Sequence, residues 1–497
     1  MQASTTGTRC SAMPVERNLP LFLALDQGGH ASRALVFDAH GVAQARSLRE
    51  VQVHHPRPDW VEQDPEELVV SLLEAAREVL HELGAHSAQV ESAGLATQRS
   101  SIVCWDRVTG QALSPVISWQ DRRAHEWLQR FAPHAEAIHT TTGLMLSAHY
   151  GASKLRWCLD HLPAVAQAEA EGRLAFGPLA SFLIFRLSAE HSLVADPANA
   201  ARTLLWNIKT LDWDEGLLHL FSIPRSALPP CVPTRHNCGH IVVDGQPIPL
   251  AVVNGDQSAA LFAYGKPHAN SAYVNMGTGA FVQRMSGEYP GYQPRLLTGM
   301  VLHDGDEKAY VLEATVNGAG AALQWIEEDL GLEDIEQQLP AWLAQNGVEP
   351  PLFLNGISGL GAPYWVADFE SRFSAETEPW QMVVAVAESI VFLLQVNFDL
   401  FQKLASPLEQ IIASGGLTWY EGLCQRISDL SGLPLYRPAE YEATARGLAW
   451  LLAGKPEDWP ETEFGVWFKP RANPALRARY ERWRTAMETA LAGDIVR

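Results

Sequence analysis

Cysteine is scarce in this chain of 497 residues, which contains six scattered cysteines. Such sparse use is typical of proteins kept in a reducing compartment rather than of secreted, disulfide-stabilised domains. The first twenty residues lack the apolar segment of a signal peptide, and no unbroken apolar run approaches the roughly twenty residues of a membrane span. We therefore expect a cytoplasmic protein with a flexible tail at residues 1–20 and no membrane partner.

Positive charge is also in short supply. The 37 lysines and arginines are outnumbered by 57 aspartates and glutamates, and the net charge is −20. A charge of this sign argues against nucleic acid as a partner. It does not exclude a phosphate site, because a local ring of backbone N–H groups can hold an anion inside an acidic protein. The common phosphate loop, G-x-x-x-x-G-K-[ST] between a strand and a helix, is absent from the sequence.

The chain does contain a glycine-centred pattern near its start. Two short apolar runs within Leu21–Phe37 are separated by Gly28 and Gly29, and Asp26 ends the first run. Short apolar runs bounded by glycine predict two buried strands joined by a tight turn. Paired glycines can take up positive φ and bring N–H groups close to an anion. Asp26 is then either a metal ligand beside a phosphate turn or an ordinary solvated aspartate in a hairpin.

The same pattern recurs in the second half of the chain. Residues 271–284 predict another strand, the turn Gly277-Thr278-Gly279 and another strand. Since 497 residues exceed one ordinary core, we interpret the repeat as a duplicated scaffold with a nucleotide between its halves. We place the domains at residues 21–264 and 265–497, and the sequence leaves a homo-oligomer open.

Apolar residues at helical spacing predict the helices between these strands. Pro65 follows a loop and opens the first helix, and small residues in the helix after Glu442 favour close packing. The predicted helices span about residues 65–83, 121–131, 154–162, 178–187, 258–264, 381–404, 442–452 and 475–491, with another ending near 430.

An ordered series of short motifs covers most of the chain. Together these motifs resemble the FGGY carbohydrate kinases and, among them, are most similar to the glycerol kinases. The motifs are Leu-Asp-Gln-Gly (25–28), Trp-Val-Glu-Gln-Asp-Pro (60–65), Thr-Gln-Arg (97–99), Ser-Trp-Gln-Asp-Arg-Arg (118–123), Thr-Gly-Leu (142–144), Ala-Arg-Thr-Leu-Leu-Trp-Asn-Ile-Lys-Thr-Leu-Asp-Trp-Asp (201–214), Gly-Asp-Gln (255–257), Met-Gly-Thr-Gly (276–279), Gly-Leu-Gly-Ala-Pro-Tyr-Trp (359–365) and Ser-Gly-Gly (414–416).

The resemblance implies both a fold and an activity. The fold is α/β, with two actin-like ATPase (ribonuclease H-like) domains and a cleft between them. The activity is ATP-dependent phosphorylation of a primary hydroxyl of a small polyol or sugar, assisted by Mg²⁺. Such phosphoryl transfer needs a base for the acceptor hydroxyl, a metal ion and donors around the phosphates.

Asp256 is the candidate catalytic base. It follows a buried strand and precedes a predicted helix, so it could equally serve as the cap of that helix. The resemblance implies that Asp256 deprotonates the acceptor hydroxyl and that Gln257 contacts the substrate.

The resemblance also implies the remaining site residues. Asp26 would hold Mg²⁺ through hard oxygen ligation. The phosphates and adenosine would be bound by Gly28, Gly29, Arg33, Thr278, Gly320, Gln324 and Gly416. For the polyol, Arg99 would donate to hydroxyl groups and Trp119 would form a flat apolar wall. His149 stands at the position of a substrate-site tyrosine, and the adjacent Tyr150 is the alternative for that role. Trp119 could instead be an ordinary core residue.

Several positions depart from the glycerol kinase pattern and support two alternatives. Ser100 replaces a glutamate, and Asp121 occurs where the sugar kinases commonly have an aspartate, which favours a ketose or pentitol kinase. Gly29 and His30 replace two threonines, and Tyr420 replaces an adenine-side asparagine. Those changes favour a catalytically weak regulatory protein on the kinase fold. Cys231, Cys238 and the nearby histidines match no standard zinc spacing, so we interpret them as loop residues.

Overall fold

The computed structural model describes residues 19–345, 349–404, 406–439, 442–460 and 465–494. Of the predicted tail at residues 1–20, all but residues 19 and 20 lie outside these ranges. Cys10 therefore also lies outside them.

Two related α/β units make up the described chain. The strands of the first unit are β1 (Leu21–Gln27), β2 (Ala31–Asp38), β3 (Ala43–Glu50), β4 (Glu62–Gln63), β5 (Val90–Thr97), β6 (Ile102–Asp106), β7 (Val116–Ile117), β8 (Leu174–Pro178), β9 (Trp206–Asn207), β10 (Asp212–Trp213), β11 (His240–Val243) and β12 (Gln246–Gly255). Its helices are α1 (Pro65–Leu83), α2 (His125–Gln129), α3 (Ala135–Thr142), α4 (Gly151–His161), α5 (Pro163–Ala170), α6 (Leu179–Leu187), α7 (Pro197–Ala200), α8 (Glu215–Phe221) and α9 (Asp256–Ala260).

The second unit continues the same alternation. Its strands are β13 (Ser271–Met276), β14 (Ala280–Gly287), β15 (Leu297–Asp304), β16 (Glu307–Val316), β17 (Phe353–Leu354), β18 (Arg372–Phe373), β19 (Gln410–Ser414), β20 (Leu435–Arg437) and β21 (Val466–Phe468). Its helices are α10 (Gly320–Leu330), α11 (Ile335–Ala344), α12 (Pro379–Gln402), α13 (Glu421–Ser431), α14 (Ala443–Leu452) and α15 (Pro474–Asp494).

The two main sheets share an arrangement of six strands, and the second sheet has β15 as an additional edge strand. The first sheet runs β11-β12-β5-β1-β2-β3, and the second runs β15-β16-β14-β13-β19-β20-β21. In each, an antiparallel hairpin (β1–β2 or β13–β14) lies between a further antiparallel strand and parallel strands. The predicted repeat of strand, glycine turn and strand is therefore confirmed.

Helix α12 passes through the centre of the second unit. By length and composition, Pro379–Phe401 is apolar enough to cross a membrane, although Glu388 and Asp399 interrupt its apolar run. However, 83% of its apolar window is buried inside the protein. Its buried Glu388 forms an ion pair with Arg479 on α15, and each of the two side chains is 6% exposed. A core position thus accounts for the apolar composition of α12.

Apolar packing joins the units in both directions. Helix α14, from the second half of the sequence, packs on the first sheet, where Leu448 and Leu452 line the same core as Phe22 and Ala24. In the other direction, Met300 and Tyr310 from β15 and β16 enter a core built by the first unit. The first sheet therefore depends on both halves of the chain for its packing.

Most predicted elements are confirmed, and two helices differ from expectation. Helix α1 has its predicted bounds, and the Asp64 side chain caps it by accepting from the N–H groups of Glu66 and Glu67. The helix expected from residue 121 begins only at His125. The helix expected over 258–264 begins earlier, at Asp256, and ends at Ala260.

Candidate active site

A buried cluster of charge joins the two units. Glu313 on β16 accepts hydrogen bonds from Arg202 at 2.6 Å, Gln283 at 2.8 Å and Arg99 at 3.2 Å. The two arginines, led by Arg202, lower the pKa of Glu313 to about 2 against the opposing effect of burial. Sequence reasoning identified Arg99 but missed Glu313, Arg202 and Gln283, because Glu313 lies 30 residues from Gln283, 111 from Arg202 and 214 from Arg99 along the chain. The cluster fixes Arg99 at the junction of the units.

Asp256 lies beside this cluster. Arg99 Nε is 3.9 Å from Asp256 Oδ1, and its guanidinium also donates to Gln257. Burial raises the pKa of Asp256, while Arg99 acts in the opposite direction. The capping position of α9 is Gly255, and Asp256 is the first helical residue, so the helix-cap interpretation is wrong. A partly exposed carboxylate paired with an arginine can accept a proton from an adjacent hydroxyl.

Asp26 is the second-last residue of the buried strand β1 and lies close enough to Asp256 for the two carboxylates to interact. Arg33 Nη1 lies 3.6 Å from Asp26 Oδ2, and Arg33 Nε lies 3.6 Å from Glu442. Burial raises the pKa of Asp26 to about 7, and Asp256 adds to this rise while Arg33 opposes it. Asp26 Oδ1 is buried and has no hydrogen-bond partner within the described part of the chain. A buried carboxylate oxygen left unpaired in this way fits a Mg²⁺ ligand.

Two glutamines brace the first glycine turn. Gln63 donates to the carbonyl of Gly29 at 2.9 Å, and Gln98 donates to Gln63 at 2.7 Å. Neither Gly28 nor Gly29 lies at positive φ, so the expected reason for the paired glycines is wrong. Space is limiting at Gly28 instead, since a Cβ atom there would lie 3.3 Å from both the Ala31 carbonyl and the Arg33 guanidinium.

The second glycine turn is held against the start of α10. The N–H of Gly320 donates to the carbonyl of Gly277 at 2.9 Å, and the N–H of Ala321 donates to that of Thr278 at 3.0 Å. A Cβ atom on Gly320 would lie 2.7 Å from the Gly277 carbonyl. Only glycine permits this approach, which leaves the exposed Thr278 beside a helix N-terminus. Such an arrangement fits a phosphate group.

A third glycine pair borders the same region. Gly415 has a φ of +92°, and a Cβ atom there would lie 2.4 Å from the carbonyl of Met276 at the end of β13. Gly416 has open space around its Cα, which fits the predicted adenosine contact. Gln324 is exposed on α10 and donates to Glu328. Gly320 and Gly415 thus both lie against the strand end and turn at Met276–Gly279, and these three segments form a glycine-lined cradle.

Trp119 and His149 lie together, as expected for one wall of a polyol site. Their ring centroids are 5.5 Å apart, and both side chains are half-buried. Burial lowers the pKa of His149 well below its usual value, and Arg122 is the next contributor. The His149 ring is therefore neutral at neutral pH and can both donate and accept a hydrogen bond.

Two of the departing positions have different roles. Ser100 follows Arg99 with a φ of +65°, and its buried hydroxyl has no hydrogen-bond partner among the described residues. Asp121 is fully buried, and it accepts from the N–H of Val61 at 2.7 Å and from Arg123 at 2.7 Å. Asp121 therefore holds the 60–65 loop in place rather than facing a substrate, whereas the buried Ser100 hydroxyl has no such structural partner among the described residues.

The cysteines and histidines near residue 236 do not gather. His240 lies 2.7 Å from Glu190, Cys238 is buried in the core of the first unit, and no group of three or more potential metal ligands occurs in the ranges that the structure describes.

Family models match both units. The N-terminal domain of the FGGY family of carbohydrate kinases matches residues 21–263, and its C-terminal domain matches residues 272–454.

Curated relatives match nearly the whole chain. A glycerol kinase of Aromatoleum aromaticum is 35% identical over 489 residues, covering 94% of this chain and 98% of the relative. A glycerol kinase of Delftia acidovorans is 36% identical over 447 residues, covering 86% and 89% respectively.

Solved structures of carbohydrate kinases are similar to this chain over nearly its whole length. Plasmodium falciparum glycerol kinase with ADP has a TM-score of 0.85 at 25% identity and covers 95% of this chain and 98% of its own. A xylulose kinase of Lactobacillus acidophilus, at 21% identity, has a TM-score of 0.80 and covers 95% and 99%. The predicted α/β fold of two related domains is confirmed.

Proposed function

Since the chain belongs to the FGGY family of carbohydrate kinases, we propose that it transfers the γ-phosphoryl group of ATP to a primary hydroxyl of glycerol or a closely similar polyol. The enzyme class, a phosphotransferase with an alcohol acceptor, follows from the family matches over both units and from the glycerol kinase relatives. The single observation that carries the chemistry is the pairing of Asp256 with Arg99 where the two units meet.

In this proposal Asp256 is the catalytic base. Arg99 lies 3.9 Å from one Asp256 oxygen and donates to Gln257, so the guanidinium orients the carboxylate and the neighbouring amide together. Asp256 accepts the proton of the acceptor hydroxyl as the oxygen of that hydroxyl attacks the γ-phosphorus of ATP. A positioned base of this kind contributes roughly 10²–10⁴ to the rate.

The nucleotide side depends on Asp26 and the glycine turns. Bound Mg²⁺ would neutralise charge on the phosphates, and Asp26 would hold it through the oxygen that lacks a protein partner in the described structure. Arg33, within 3.6 Å of Asp26, keeps that carboxylate oriented. The cradle of Gly277, Gly320 and Gly415 would receive ATP.

The acceptor side contains Arg99, Trp119 and His149. The Trp119 indole offers a flat apolar face for a carbon chain, and His149 lies against it. Gln257 and Arg99 supply polar contacts to hydroxyl groups. We propose a cytoplasmic site of action, which the five free thiols among the described cysteines support.

A second candidate substrate is a longer polyol or a ketose. The buried Ser100 hydroxyl has no partner among the described residues, and a substrate with an additional hydroxyl group would supply one. Selection by such a contact is strong, because a site built to bind a hydroxyl group discriminates against analogues without it.

A coupled ADP-release assay over glycerol, tetritols, pentitols and ketoses tests the proposal. We expect turnover with at least one of these acceptors and none above background for Asp256→Asn, with the fold intact by circular dichroism. Asp244→Asn is the matched control, because Asp244 forms an exposed pair with Arg77 away from the site.

The outcomes separate the candidates. Turnover with glycerol alone excludes the sugar kinase alternative. Acceptor or ATP binding without turnover by the unaltered protein indicates a regulatory protein on the kinase fold, and full activity of Asp256→Asn refutes the assigned base.

A further inference from the structure

Lys154 is a buried cation with three backbone partners. It lies in the first turn of α4, and its side chain is almost fully buried. Its Nζ donates to the carbonyls of Ser118 at 2.7 Å, His149 at 2.8 Å and Ser100 at 3.2 Å. These three carbonyls belong to three separate loops.

Each of those loops carries a residue of the acceptor site. Ser100 follows Arg99, Ser118 precedes Trp119, and the third carbonyl is that of His149 itself. We propose that Lys154 is a positioning residue that sets the spacing of Arg99, Trp119 and His149, and so the affinity for the acceptor. This inference rests on the proposed function.

The number of partners indicates the charge of Lys154. An ammonium group has three N–H donors, and the three carbonyls use all of them. A neutral amine would donate to two carbonyls and direct its lone pair at the third. Burial lowers the pKa of Lys154 well below its usual value, the positive charges of Arg122 and Arg123 lower it further, and Asp121 opposes this shift. The three carbonyl contacts are satisfied only by the charged form.

The first residues of α4 are also held by hydrogen bonds to the main chain of another segment. The N–H of Ala152 donates to the carbonyl of Thr203 at 2.7 Å, and that of Gly151 to Arg202 at 3.3 Å. Arg202 in turn pairs with Glu313. The helix that carries Lys154 is therefore tied to the charged cluster beside Asp256, which gives the lysine a rigid base from which to hold the loops.

Arg284 provides a matched comparison. It is also a buried cation, and it donates to the carbonyls of Ala269 at 3.2 Å, Phe401 at 2.7 Å and Ser406. These carbonyls belong to the second unit, and none adjoins an acceptor-site residue. A merely structural role predicts the same behaviour for both cations, whereas positioning predicts a difference.

The test compares Lys154→Met with Arg284→Met in the full-length protein. For Lys154→Met we expect the KM for the acceptor to rise roughly 10- to 100-fold, the scale of a misplaced binding group, with the KM for ATP within about twofold of the unaltered value. For Arg284→Met we expect a lower melting temperature and little change in either KM. Lys154→Arg, which keeps donors, should recover part of the acceptor affinity, and it replaces the methionine variant if that variant does not fold.

Three results would overturn the proposal: a loss of melting temperature with an unchanged acceptor KM, equal increases in both KM values, or the same acceptor defect in Arg284→Met. If the unaltered protein lacks turnover, the proposed function fails. The positioning role is then decided by whether the acceptor-induced rise in melting temperature is lost in Lys154→Met.

Discussion

Glu313 Oε2 on β16 lies 2.6 Å from Arg202 Nη2, which belongs to the other half of the chain. Both side chains are buried, with exposures of 1% and 4%. Arg202 lowers the pKa of Glu313 to about 2, with Arg99 the second charge involved. A carboxylate whose pKa is low in the folded state stabilises that state while it is ionised.

The sign of the pH dependence follows. Since the pKa of Glu313 falls from 4.5 to about 2 on folding, its contribution is fully present above pH 4.5 and is lost as the pH falls towards 2. Through this shift, ionised Glu313 contributes on the order of 3 kcal/mol to the free energy of unfolding. In the unaltered protein the free energy of unfolding should fall as the pH is lowered from 4.5 towards 2. We expect this fall, the acid limb, to be smaller in Glu313→Gln, measured by urea unfolding from pH 2 to pH 7.

Glu190→Gln is the control for this experiment, because Glu190 pairs with His240 at an exposed site and exposed pairs contribute little. An unchanged acid limb in Glu313→Gln would contradict the assignment of this pH dependence to the buried cluster.

Replacing Asp26 should separate stability from activity. In Asp26→Asn we expect the Mg²⁺ concentration for half-maximal turnover to rise at least about 10-fold. The melting temperature should stay level or rise, because a buried carboxylate with an unpaired oxygen is replaced by a neutral amide. Asp38→Asn, at the far end of the same hairpin, should leave the Mg²⁺ requirement unchanged. An equal Mg²⁺ requirement in Asp26→Asn and Asp38→Asn would show that Asp26 is not a ligand of the metal.

Ser100→Ala tests whether the buried Ser100 hydroxyl contacts the acceptor. Removing a buried hydroxyl without a protein partner should keep the free energy of unfolding within about 1 kcal/mol of its original value. The KM for the acceptor should nevertheless rise several-fold. Ser181→Ala removes another buried hydroxyl that lacks a partner in the described chain, on α6 of the same unit, and it should change no KM. Identical kinetics for both variants would show that Ser100 does not contact the acceptor.

Gly447→Ala should affect catalysis through packing. A Cβ atom on Gly447 of α14 would lie 1.8 Å from the carbonyl of Ala259, in the helix that begins with Asp256. We expect a loss of stability of about 1–3 kcal/mol and a lower kcat, measured by urea unfolding and steady-state kinetics. Gly493→Ala in α15, where no atom lies within 4 Å of the added Cβ, should be neutral or stabilising by up to about 1 kcal/mol. Full stability of Gly447→Ala would mean that α14 can move away at no cost.

Local patterns predicted much of this fold and part of the site. The bounds of α1 follow from Pro65 and the helical spacing of its apolar residues, and both glycine turns follow from short apolar runs on either side. The end of a strand also marked Asp26 and Asp256. Asp121 shows the limit of such reasoning, because its motif predicts a site residue while its partners, Val61 and Arg123, bury it.

The sequence alone determined the two α/β units, their glycine turns and the two candidate carboxylates, because those features depend on spacing between near neighbours. Only the tertiary structure decided that Glu313 joins Arg99 to Arg202, that Lys154 ties three loops, and that α14 supports the first sheet. Those contacts join residues far apart in sequence, and burial, which strengthens charge pairing and limits space, exists only after the chain has folded.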